Sequence, residues 1–216
     1  MFQTRVQDLV GSTYSISGIN DMFESAVHEV ADVLPTEFLL NYVASPTDIV
    51  NSSGAEVVGN KILLVARNNV PCDRISYEES LMHTAITDSI YERETNSFPA
   101  YYLDPVGGTS PNESVLLKVL PVPTSGESAK AYLYSYPTAL TFATDTVIAN
   151  FPVRAYQAVI YKMAVLLLAS LIKDATINEE DPELLTMYQQ QQQIVSEMYT
   201  KELIALTGGE EPAGAE

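Results

Sequence analysis

The feature that most constrains this chain is the apolar run in its last third. From Ala155 the sequence reads Ala158, Val159, Ile160, Met163, Ala164, Val165, Leu166, Leu167, Leu168, Ala169, Leu171 and Ile172, with polar residues too sparse to leave a solvent face. A surface helix needs one apolar stripe, and a helix that is apolar all round must be covered all round. A chain of 216 residues has limited material for that. The run therefore predicts a helix buried against a neighbouring subunit, and so an assembly protein. It approaches the roughly 20 residues of a membrane span, but it contains Gln157, Tyr161 and Lys162 and leads into an acidic helix start. It is read as buried in protein, with no membrane partner.

After the short acidic turn Glu179-Glu180-Asp181, a second long helix is expected from about Pro182 to Leu206. Proline is tolerated at the first helical position, and acids favour a helix N-terminus. Leu184, Tyr188, Val195, Met198, Tyr199, Leu203 and Leu206 line one side of it. Gly208-Gly209 stops it. The Gln189 to Gln193 run reads as a solvated helix face, because glutamine is a good helix former. GEEPAGAE at the end reads as a mobile acidic tail.

Upstream, Met22, Phe23, Ala26, Val27, Val30, Val33 and Leu34 recur at helical spacing and predict a helix over Ile19–Leu40, interrupted at Pro35, with Asn20 or Asp21 as N-cap. Residues 45–59 read as a loop. Lys61 to Arg67 reads as a strand closed by Asn68-Asn69-Val70-Pro71, Tyr77 to Ala85 as a short helix, and Ala100 to Leu103 as a strand. Ser114–Val122 and Ala129–Tyr136 are expected to pair as a hairpin around the polar turn Pro123-Thr124-Ser125-Gly126-Glu127. The second strand alternates, with Tyr132, Tyr134 and Tyr136 on one face. Such a tyrosine stripe suits either an interface or a sheet face covered by the protein's own helices.

The expected architecture is α+β and mainly helical: an N-terminal helix and a long C-terminal helical hairpin, with an inserted small antiparallel β region. The division is a helical bundle domain of 1–44 and 138–207, a β-rich insertion of 45–137 and a disordered acidic tail of 208–216.

Charge and residue types narrow the chemistry. There are 28 acidic against 11 basic residues, a net charge of −17. Nucleic-acid affinity rests mainly on Lys and Arg neutralising phosphates, and the basic residues here are scattered. One cysteine, Cys72, allows no intramolecular disulfide and fits a reducing compartment. Of the two histidines, His28 lies among helix-periodic residues and His83 in Leu81-Met82-His83-Thr84. Neither has a His or Cys at metal-ligand spacing. Cys72 has no histidine partner and only Arg74 as an activating neighbour. Gly107-Gly108-Thr109-Ser110 lacks the lysine and the strand-to-helix setting of a phosphate loop. Glu179-Glu180-Asp181 reads as helix capping, because consecutive residues at a helix start do not converge on one ion. No catalytic residue, metal site or cofactor is expected, and the chain is read as a non-enzyme.

The order of parts carries a resemblance. An amphipathic helix leads into a mixed segment containing Asn96-Ser97-Phe98-Pro99-Ala100-Tyr101-Tyr102. Next come the proline-punctuated Val119-Leu120-Pro121-Val122-Pro123 and the strand Ala131-Tyr132-Leu133-Tyr134-Ser135-Tyr136-Pro137. A helix is announced by Ile148-Ala149-Asn150-Phe151-Pro152 and continues as Ala158-Val159-Ile160-Tyr161-Lys162-Met163-Ala164. A last helix opens with Glu180-Asp181-Pro182-Glu183-Leu184. Over residues 18–206 this layout resembles the head-to-tail adaptor (connector) proteins of tailed bacteriophages. The resemblance implies a structural virion protein of the neck, between head and tail, assembled in the host cytoplasm. Its partners would be further copies of itself in a ring, typically twelve-fold, the portal protein, and a tail or nozzle protein. DNA would pass through the lumen without specific binding. The family has no catalytic residues to carry over. Its C-terminal extension often reaches the portal, which here points to Gly208, Gly209, Glu210, Glu211 and Glu216. A different collar or tail-completion subunit, or a small-molecule-binding or enzymatic domain, are the alternative readings. The first would attach to the tail tube, and the second would be a compact monomer with a saturable ligand.

Overall fold

The computed structural model describes residues 2–11, 18–57, 60–85, 97–105, 115–124, 127–177 and 182–208, with only the backbone at 83–85. The fold is α+β, mainly helical, with a long C-terminal helix pair and antiparallel sheets. The elements in chain order are helices α1 (Phe2–Val10), α2 (Ile19–Val33) and α3 (Thr36–Leu40), strands β1 (Thr47–Ile49), β2 (Ala55–Glu56), β3 (Asn60–Arg67), β4 (Val70–Pro71) and β5 (Asp73–Arg74), helix α4 (Tyr77–Ala85), strands β6 (Ala100–Pro105), β7 (Val115–Leu120) and β8 (Ala129–Ser135), and helices α5 (Tyr156–Ile177) and α6 (Pro182–Thr207). The chain divides into two compact units, 1–39 with 137–216, and 40–136.

In the helical unit, Pro35 breaks the first amphipathic stretch into α2 and α3. A proline lacks the N–H of a helix interior and clashes with the preceding turn. Gly18 takes the cap position of α2 without a side-chain bond. The expectation of Asn20 as cap is corrected: its Oδ1 accepts the Phe142 amide at 3.0 Å, 122 residues away. The nine-residue α1, absent from the sequence expectation, buries Phe2, Val6 and Val10. Phe2 packs against Phe23 and Tyr156, each with ring centroids 5.1 Å away and the ring planes tilted.

Those contacts overturn part of the argument from α5. Its first two-thirds is covered within its own unit by α1, α2 and α6, and nine of its residues are buried, from Tyr156 to Leu168 and again at Ala175. Val165, Leu166, Leu171 and Ile172 remain half-buried and Ala169 is exposed. By length and composition Val153–Ile177 is apolar enough to cross a membrane, and half of its most apolar stretch is buried inside the protein.

The other unit holds two four-stranded sheets, ordered β1-β8-β3-β4 and β2-β7-β6-β5. Ile49, Val65, Ala129 and Ala131 from the first sheet pack with Ala55, Leu117 and Val119 from the second in one core. The expected hairpin is therefore corrected. β7 pairs with β6 and β8 pairs with β3, so the two segments face each other across the core. Pro121 and Pro123 follow β7 and have no N–H to donate, so a ladder cannot zip up to the turn. Instead the Glu127 carboxylate closes the turn, accepting the Thr124 amide at 2.9 Å and its hydroxyl at 3.0 Å.

The stretch expected as loop, 45–59, holds β1 and β2. They lie in different sheets, joined by a corner in which the Asn51 side chain accepts the Ser53 amide. Gly54 completes it at φ 76°, and a Cβ there would lie 2.6 Å from the Leu117 carbonyl oxygen, so no other residue fits. The β3–β4 turn matches its sequence signal: Asn68 and Asn69 both have positive φ, as a two-residue hairpin requires. Among the described strands one pairing is parallel, β5 with β6.

Candidate interaction surface

The long α6 is anchored along one side only. Val195 is its one buried residue, and Leu184, Tyr188, Tyr199, Leu203 and Leu206 are half-buried against the rest of the unit. Met198, expected on that side, lies instead at the solvent edge. Met187 is 48% exposed, Ile194 53% and Met198 40%. Seven residues make two helical turns and four make about one, so these three share a line on the helix. Together with Asp8, Leu9, Gln190, Gln191 and Val195 they line a groove of about 380 Å³ beside α1.

The groove is held in shape by its own walls. Gln191, expected as a solvated residue, donates its side-chain N–H to the Leu9 carbonyl at the end of α1. That carbonyl is among the last four of its helix, which have no intrahelical partner. On the inner side of α6, Lys162 of α5 pairs with Glu29 of α2 and lies 5.7 Å over the Tyr199 ring. Burial, with Glu29 beside it, raises the Tyr199 hydroxyl above its ordinary pKa. The three helices are thereby pinned while the outer stripe of α6 stays open.

The sequence-singled residues are not gathered into a chemical site. His28 donates its Nε2–H to the Pro137 carbonyl at 2.8 Å, which ties α2 to the returning chain. Cys72 is buried in the β core; burial pushes its thiol up to about 11, with the nearby Arg67 opposing. A thiol so held is mostly uncharged at neutral pH and is a poor nucleophile. Arg67 is itself 2% exposed and donates to Glu127 at 2.7 Å. The Thr124 amide and hydroxyl hold the Glu127 carboxyl below the usual range, and Arg67 adds to this. Among the described residues no group of three or more His, Cys, Asp or Glu side chains is placed to hold a metal.

Of the tyrosine stripe, Tyr134 is fully buried and Tyr132 and Tyr136 are half-buried. Burial raises Tyr134 to about 12, and its ring meets Tyr136 edge-on at 5.7 Å. Tyr101 packs on the β core. Tyr102 lies on the other face of β6, 6.2 Å from Tyr77 of α4, beside the Lys118–Asp104 pair at 2.6 Å. These tyrosines are spent mainly on internal packing.

Gly208 ends α6 in the left-handed conformation, φ 65°. Gly209, Glu210, Glu211 and Glu216 lie outside the described residues, as do Gly107–Ser110, Glu179–Asp181 and the side chain of His83.

No protein-family model matches the chain, and no curated protein matches it in sequence. The groove along α6 was missed by sequence reasoning, although a signal for it exists: Met187 and Ile194 recur at seven residues, with Lys201 a further seven on.

Proposed function

We propose that the chain is the subunit of a ring-shaped head-to-tail adaptor, set between the portal and the tail of a tailed phage and letting DNA pass. The observation that carries this reading is the open face of α6. A rod of 26 residues, about 39 Å long, keeps an apolar line in water that a protein working alone gains nothing from exposing. The order of parts along the chain, which resembles such adaptors, supplies the class of assembly. The acidic excess suits a conduit: net charge of −17 gives DNA phosphates little to hold.

The test is docking. Purified protein is mixed with DNA-filled heads that carry portal and lack tail, and bound copies are counted by mass and imaged by electron microscopy. The expected result is a ring of stoichiometric copies beneath the portal. Deleting residues 208–216 should weaken that docking while leaving the melting temperature unchanged. Heads that bind no protein, or protein that binds tail tubes in preference to portal, would refute the adaptor reading.

A further inference from the structure

We draw no further inference here: the strongest candidate, the open groove along α6 lined by Met187, Ile194 and Met198 beside α1, carries nothing beyond the reading already given, because nothing in the structure shows what covers it.

Discussion

At the residue scale the chain shows how burial decides what a reactive group does. Cys72 is the only thiol, and the sequence argues against catalysis only by the lack of a histidine partner or a basic cluster around it. It is packed in the β core with its amide bonded to the Val65 carbonyl at 2.8 Å, a setting that disfavours the reactive thiolate. Its thiol is raised from 9.0 to about 11. A raised pKa means that folding favours the neutral form. The associated stability is therefore complete below pH 9 and is lost as pH rises through about 11, because the unfolded thiol ionises first. The loss is about 2 to 3 kcal/mol at most. Urea unfolding at intervals between pH 8 and 11.5 should show this decline in the wild type and a smaller one in Cys72→Ala. Equal slopes in the two proteins would mean that the thiol contributes nothing to the alkaline transition. His28 teaches the same lesson differently: its ring is committed to a carbonyl 109 residues away, a partner no spacing rule points to.

At the element scale, α5 and α6 illustrate two kinds of helix. Both are long, yet α5 is enclosed over most of its length and α6 is attached by an edge. The difference is testable along α5. Ala164 is fully buried, whereas Leu166 is half-buried. Ala164→Asp places a charge where water cannot reach and should cost about 3 kcal/mol or more. Leu166→Asp can turn its carboxylate outward and should cost about 1 to 2 kcal/mol, mostly lost apolar contact. Denaturant midpoints of the two variants give the ordering. If Leu166→Asp is the more damaging, the half-buried side of α5 is covered by something besides its own chain. The β elements carry a related point. β7 and β8 each read correctly as strands, and each pairs with a different partner from the one sequence proximity suggests, since the prolines between them remove the donors that a hairpin needs.

At the scale of the whole molecule the chain leaves its helical unit after Leu39 and returns at Pro137, having built both sheets in between. The core of the sheets, from Ile49 to Ala131, lies entirely within that stretch. A polypeptide of residues 40–136 should therefore fold by itself, giving a β-type circular dichroism spectrum, a single cooperative melt and dispersed amide resonances. A broad melt with collapsed resonances would show that the sheets depend on the helices for their order. The helical unit has no such continuous stretch, since α1 and α2 must meet α5 across the insertion.

By itself the sequence determined the local conformations that short-range chemistry dictates. Pro35 divides α2 from α3, Asn68-Asn69 turns β3 into β4, Pro182 opens α6 and Gly208 ends it, each because one residue's backbone permits or forbids a conformation regardless of its surroundings. The α+β class followed from the same signals. Tertiary structure alone decided which faces are covered and which strands meet. The short α1 lies in a stretch too brief to stand out by periodicity, yet it fills the side of α5 that seemed to need another subunit. The corner at Gly54 and the crossing from β7 to β8 depend on atoms more than fifty residues apart. The open line on α6 was decided last: Met187, Ile194 and Met198 are as apolar as their buried neighbours, and only the position of α5 and α1 beside them leaves that edge of the helix in water.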